Sequence, residues 1–184
     1  ITYSYDVVGR LAKEDNGNGT YTTYGYDTAG QLLSIVNYQP DGDINSRYDY
    51  TYDELGQRTS MTTLEGKTSY GYAATGQLTS VELPNGREIV YEYDAAGNRI
   101  SVTDDGLRTN YTSNILIQYT TVGDAVYTYD TDGNLISKVE GDDAWTYSYN
   151  IENRLIGVTT PDGTWAYEYD ALGNRIASVE GGDR

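Results

Sequence analysis

One short pattern recurs along the whole chain: tyrosine, any residue, tyrosine, aspartate, two variable residues, glycine. Its last copy, Trp165-Ala166-Tyr167-Glu168-Tyr169-Asp170-Ala171-Leu172-Gly173, shows what the pattern can build. Trp165, Tyr167 and Tyr169 alternate with Ala166, Glu168 and Asp170. In a strand the aromatics therefore share one face, and the small or acidic residues share the other. Asp170 and Gly173 have the spacing of the first and fourth corners of a type I turn, with glycine where a left-handed backbone is often needed. A second strand is expected from Asn174 to about Val179. Each copy is thus predicted to be a β-hairpin with an aromatic face.

The other copies are marked by Tyr5, Asp6 and Gly9; Tyr26, Asp27 and Gly30; Tyr52, Asp53 and Gly56; Tyr72 and Gly76, with Ala73 in the aspartate place; Tyr93, Asp94 and Gly97; Tyr129, Asp130 and Gly133; and Tyr149 with Asn153. Asn153 suits the glycine slot because Asn tolerates a left-handed conformation better than other side chains. A degenerate ninth unit surrounds Tyr111, read with Thr112 in the aspartate place and Ile115 in the glycine place. The array divides into 1–20, 21–46, 47–66, 67–86, 87–105, 106–122, 123–142, 143–162 and 163–184. Such periodicity is the mark of a repeat architecture.

Composition narrows the function. The chain has 21 tyrosines and no phenylalanine, and the Tyr-x-Tyr pairs hold most of the excess. Twenty-eight acidic against 12 basic residues give a net charge of −16, which repels phosphate and argues against nucleic acid. Without cysteine there is no disulfide framework or thiolate metal site, and without histidine the commonest general base and metal ligand are gone. No cofactor and no enzyme activity are expected. No apolar run reaches the length of a membrane span, and no signal peptide opens the chain. The chain starts on one unit and stops just after another, which predicts a segment of a longer array.

The second strands are less regular than the first. Apolar residues stand two places after the turn glycine (Leu11, Leu32, Leu78, Leu135) and again five or six places after it (Ile35, Met61, Val81, Val102, Val139, Val179). Positions two and five have opposite parity, so either a β-bulge or partial burial of both faces is required. The links carry hairpin chemistry as well: Asn16-Gly17-Asn18-Gly19, Pro84-Asn85-Gly86, Asp104-Asp105-Gly106 and Pro161-Asp162-Gly163. The predicted fold is all-β, an antiparallel meander of roughly 16 to 18 short strands at two per repeat. At ~4.8 Å per strand that ribbon is roughly 85 Å wide, and sheets of more than about 10 strands tend to curl. A curled, spiral or barrel-like wall around a lumen is expected. Its edge strands would pair with flanking repeats or with identical copies.

The stretches Tyr3-Ser4-Tyr5-Asp6-Val7-Val8-Gly9-Arg10-Leu11 and Tyr93-Asp94-Ala95-Ala96-Gly97-Asn98-Arg99 resemble the tyrosine-aspartate (YD) repeat of the Rhs family. The resemblance covers essentially the whole chain. The odd unit, Asn110-Tyr111-Thr112-Ser113-Asn114 with Gln118-Tyr119, is similar to a variant of these repeats. The resemblance implies a spiralling β-sheet that closes into a hollow shell. In bacterial Rhs proteins and the C components of Tc toxins such a shell encloses a toxic enzyme, and in teneurins it belongs to an adhesion ectodomain. It further implies a secreted or cell-surface location in a bacterium. The toxin family's Asp-Pro signature and aspartyl self-cleavage centre have no counterpart, since the chain contains no Asp-Pro. It reads as wall.

Several residues invite a functional reading. The aspartates Asp6, Asp27, Asp53, Asp94, Asp130 and Asp170 form a carboxylate series, but their spacing of about 20 residues fits turn capping better than the one close pair a glycosidase needs. Asp41, Asp43 and Asn45 imitate the start of a calcium loop, yet Ser46 and Tyr52 occupy the places of its Gly and Glu. An extended hairpin loop explains them. Arg58, Arg99 and Arg175 are expected against a tyrosine ring or an acid. Trp145 and Trp165 are the candidates for stacking on sugar rings, against the simpler alternative of packing between repeats. Asn18-Gly19-Thr20 and Asn110-Tyr111-Thr112 have the form of glycosylation sequons. The leading expectation is a structural shell segment; the alternatives are an adhesive or glycan-binding module and a fibre subunit joined through sheet edges.

Overall fold

The computed structural model describes residues 1–181; the last three residues of the unit 163–184 lie outside the described part. Every regular element is a strand: β1 (Thr2–Tyr5), β2 (Leu11–Asp15), β3 (Tyr21–Tyr26), β4 (Leu32–Tyr38), β5 (Ile44–Tyr52), β6 (Arg58–Thr63), β7 (Gly66–Tyr72), β8 (Leu78–Glu82) and β9 (Glu88–Tyr93). The series continues with β10 (Arg99–Asp104), β11 (Leu107–Ser113), β12 (Tyr119–Val122), β13 (Ala125–Tyr129), β14 (Leu135–Glu140), β15 (Asp143–Tyr149), β16 (Leu155–Thr160), β17 (Gly163–Tyr169) and β18 (Arg175–Glu180). Two compact units divide the chain. One is Ile1–Glu92 with Val102–Arg108, the other Tyr93–Ser101 with Thr109 onward.

In the first unit each strand from β1 to β9 pairs antiparallel with the next. In the second the same holds from β11 to β18. Among the described residues, the strand contacts within each unit join neighbours in the chain. The predicted all-β meander of hairpins is what the chain forms.

The registers settle the parity problem. Tyr5 faces Leu11 while Ser4 faces Lys13, so Ala12 is an extra residue. The same shift recurs at Tyr26/Leu32, Tyr52/Arg58, Tyr72/Leu78, Tyr129/Leu135, Tyr149/Leu155 and Tyr169/Arg175. A bulge in the second strand of each of these hairpins therefore puts positions two and five after the turn residue on the tyrosine face. Thus Ile35 lies opposite Tyr24, Met61 opposite Tyr50 and Val81 opposite Tyr70. Position six falls on the other face, where Val139 meets Val126 and Val179 meets Ala166.

Burial is sparse. Among the described residues only Val36, Val81, Ala125, Ser60, Thr68 and Ser101 are buried. The face opposite the tyrosines is tied by hydroxyls: Thr51 Oγ1 lies 2.6 Å from Ser60 Oγ, and Thr128 Oγ1 lies 2.8 Å from Ser137 Oγ. Links use two turn forms. Asn16–Thr20, Gln39–Asp43 and Leu83–Arg87 close five-residue turns of the same build as the repeat turn. Thr63/Gly66, Val122/Ala125, Glu140/Asp143 and Thr160/Gly163 are end pairs of two-residue loops.

Gly66 tests the close fit of the links. Its φ is +133°, and a Cβ there would stand 2.7 Å from Pro84 Cβ. Gly66→Ala should lower unfolding free energy by about 2 kcal/mol or more in urea titrations. Gly17→Ala, with open space and no positive φ, should stay within roughly 0.5 kcal/mol. Equal effects at the two sites would refute the assignment.

Candidate functional site

The repeat turn fixes the geometry of everything else. In the first copy Asp6 N–H donates to the Arg10 carbonyl (2.8 Å) and Gly9 N–H to the Asp6 carbonyl (3.0 Å). Asp6 Oδ1 accepts from the N–H groups of Val8 and Arg10, both at 2.9 Å, and Oδ2 accepts from Arg10 Nε at 2.7 Å. Gly9 has φ +86°, the left-handed conformation that closes the turn. Asp53, Asp94, Asp130 and Asp170 repeat this carboxylate pattern, with Gln57, Asn98, Asn134 and Asn174 as the side-chain donors. Asp27 Oδ1 accepts from Gln31 N–H at 2.8 Å. Asn150 Oδ1 serves the turn ending at Asn153, whose φ is +58°. The turn carboxylates are thus engaged by their own loops and do not converge on one another.

Those bonds favour the ionised carboxylate. Arg10 N–H holds Asp6, and Gln57 N–H holds Asp53, below the usual aspartate range; side-chain amides of Asn98, Asn134 and Asn174 do the same for Asp94, Asp130 and Asp170.

In five repeats the second tyrosine reaches back to the hairpin before it. Its hydroxyl donates to the carbonyl of the residue two places after that hairpin's turn slot: Tyr26 to Leu11 (3.0 Å), Tyr52 to Leu32 (2.8 Å), Tyr72 to Arg58 (2.9 Å), Tyr129 to Tyr119 (2.9 Å) and Tyr169 to Leu155 (2.8 Å). Burial pushes the Tyr129 phenol above the usual tyrosine value, as it does Tyr24, Tyr50 and Tyr149. A phenol that stays protonated remains a donor.

A second ladder joins the turns, and it was not anticipated from the sequence. The residue after the left-handed slot lies on the next turn. Arg10 Nη1 donates to the Asp27 carbonyl (2.8 Å), Gln118 Nε2 to the Gly133 carbonyl (2.9 Å) and Asn134 Nδ2 to Asn153 Oδ1 (2.8 Å). A Cβ on Gly56, Gly133 or Gly173 would come within 3.2 Å of Gln31, Gln118 or Arg154. The signal was available: all nine repeats carry Arg, Gln or Asn at this offset.

Cations cover the aromatic rings. Arg58 sits 4.3 Å above Tyr50, Arg99 4.6 Å above Tyr111 and Arg175 5.1 Å above Tyr167. Lys138 lies 4.2 Å over Trp145, and Trp165 packs against Gly163. Both indoles are half-buried in strands. Asp41, Asp43 and Asn45 belong to the β4–β5 hairpin end, where Asp41 Oδ1 accepts from Asp43 N–H and Asn45 Oδ1 from Gln39 Nε2.

The degenerate unit needs a correction. Its turn runs from Asn114 to Gln118, with Ile117 rather than Ile115 in the left-handed slot (φ +63°) and Asn114 rather than Thr112 as its cap. Ser113, which faces Tyr119, holds the place of the second tyrosine. Counting from Tyr111 misplaced the unit by two residues, because Tyr111 corresponds to the first tyrosine of a pair.

Comparison with known proteins agrees with this architecture. Residues 52–178 match the family described as teneurin YD-shell, and residues 5–44 match the RHS repeat. The chain is 35% identical to the tRNA nuclease WapA of Bacillus subtilis over 98% of its own length and 8% of that protein. It is 28% identical to the toxin subunit YenC1 of Yersinia entomophaga over 72% of this chain and 14% of that one. The crystal structure of TcdB2-TccC3-TEV shares the fold, with a TM-score of 0.73 and 21% identity, over 97% of this chain and 11% of that one. The chain therefore spans a small fraction of these relatives.

Two measurements test the site. Tyr52→Phe should cost about 0.5–1.5 kcal/mol in denaturant unfolding by removing the bond to Leu32, while Tyr48→Phe, which makes no such bridge, serves as the control. Equal losses would exclude the ladder. Turn aspartates with depressed folded values contribute stability that is complete above the unfolded aspartate value and is lost as pH falls through the folded values. Thermal stability should therefore fall on acidification below about pH 4. It should fall less steeply in Asp94→Asn/Asp130→Asn/Asp170→Asn; an identical acid profile in this variant would contradict the assignment.

Proposed function

The chain belongs to the teneurin YD-shell family, and from that membership we propose that it is a structural wall segment of a larger secreted or surface-exposed bacterial protein, whose shell encloses a toxic domain. One observation carries the reading. Every phenol bridge spans neighbouring hairpins on the same pattern, so a wall can be lengthened hairpin by hairpin without a packed interior. Such a wall acts by mechanical enclosure.

The remaining features fit this role. A net charge of −16 favours solubility of a broad, thinly buried sheet. The chain itself has no histidine or cysteine, and its turn carboxylates are occupied by their own backbones. The names of the relatives refer to proteins of which this chain spans 8% to 14%, which supports a non-enzymatic wall beside a separate toxic part. Flanking repeats of the same polypeptide are the partners the edges fit. Tyr5 is 63% exposed, and nothing lies within 4 Å of the Cβ position at Gly9, where later turn glycines have a neighbour's side chain.

Electron microscopy of the full-length parent protein should show a hollow shell with this segment in its wall, and the toxic part should resist protease until the shell is opened. A solid domain without a lumen would overturn the proposal.

A further inference from the structure

We propose that the turn Asn114–Ile117 is an anchor that seats in an apolar pocket on another stretch of the same parent polypeptide; this rests on the shell-wall reading above. The nine repeat turns share one build, and their left-handed slot holds Gly9, Gly30, Gly56, Gly76, Gly97, Gly133, Gly173, Asn153 and, once, Ile117. A β-branched residue at φ +63° is strained. The turn does not require it. Asn114 Oδ1 accepts from Leu116 N–H (2.9 Å) and Gln118 N–H (3.1 Å), and Ile117 N–H donates to the Asn114 carbonyl (3.0 Å), bonds that Gly or Asn would make equally well.

The tip is also bare. Ile115, Leu116 and Ile117 are 97%, 65% and 67% exposed, three large apolar side chains in succession with no charge among them. No other turn of the repeat combines strain with a run of this kind. Neither property stabilises the hairpin, so both point to a contact outside it.

Area decides what kind of contact. Three such side chains offer on the order of 400 Å², about half of the ~800 Å² per partner buried in a stable complex. The tip alone does not hold a freely diffusing protein. A pocket on the same polypeptide, at high effective concentration, needs no such area. The relatives extend far beyond this chain, which covers only 8% of WapA and 14% of YenC1. A net charge of −16 opposes attachment to an anionic lipid surface.

The test compares the variant Ile115→Ser/Leu116→Ser/Ile117→Asn in two settings. In the 184-residue chain its Tm should be unchanged or raised by about 2–5 °C, since only strain is removed. In the full-length parent the Tm should fall, and cleavage near the turn by chymotrypsin-type proteases should rise severalfold. The single variant Ile117→Asn should give the same signs at smaller size. An unchanged or raised Tm in the parent overturns the proposal, as does a variant segment that no longer folds, which would make the tip a local support. Binding of the wild-type segment to phosphatidylcholine vesicles, lost in the variant, would overturn it in favour of lipid. A hollow parent shell whose stability ignores the substitutions would sink this inference and leave the wall reading standing.

Discussion

Between adjacent hairpins the hydrogen-bond ladder ends before the hairpins do. The rungs joining β2 to β3 stop at Lys13 and Thr23, so the Leu11 carbonyl lies beyond the last of them. The same holds for Leu32 beyond Ser34/Asp49, Arg58 beyond Ser60/Ser69, and Leu155 beyond Gly157/Ala166. A carbonyl left without a donor costs about 1–3 kcal/mol when water is excluded. The next repeat's phenol supplies that donor across the opening between hairpins, and its ring fills the space. At these five positions the need for a donor favours tyrosine. A phenylalanine would provide the ring and leave the carbonyl unpaired, and the chain has 21 tyrosines and no phenylalanine.

The same interaction explains how strands can hold together when only six of the described residues are buried. An ordinary domain gains most of its stability from apolar side chains removed from water on one side of a layer. Here the strand contacts among the described residues of each unit join chain neighbours, so stability accumulates from contacts between successive hairpins. Phenol bridges, turn-to-turn amides and cations over rings each contribute modestly, and each recurs. The surface ion pairs, such as Arg47 with Asp49 and Arg108 with Glu92, are exposed and add little.

How much of this was legible in the sequence depended on whether a feature is local. Tyr24-Gly25-Tyr26-Asp27 through Gly30 announces a hairpin because strand alternation and turn chemistry act within a few residues. The bulge was visible only as a conflict of parity between Leu32 and Ile35, which a linear pattern can pose but not resolve. The role of Gln118 escaped because its acceptor, the Gly133 carbonyl, is set by the register of two further strands. The degenerate unit was misread for a related reason. Counting from Tyr111 gave Thr112 the turn position, whereas the capping power of Asn114 and the pairing of Ser113 with Tyr119 fixed the turn two residues later.

That unit also shows which half of each bridge is free to vary. The acceptor is backbone, and it belongs to Leu11, Leu32 and Leu155 but also to Arg58 and Tyr119, so the side chain there is free to differ. The donor is a side chain, and in each of the five bridges it is tyrosine. When Ser113 takes the place of the second tyrosine, its repeat has no phenol at that place, yet the Tyr119 carbonyl of that repeat is still bonded by Tyr129 of the next. A defect in one hairpin is therefore confined to the side on which that hairpin should have donated. A wall tied in this one-directional way can carry an atypical turn such as Asn114–Ile117 without losing the register of the strands beyond it.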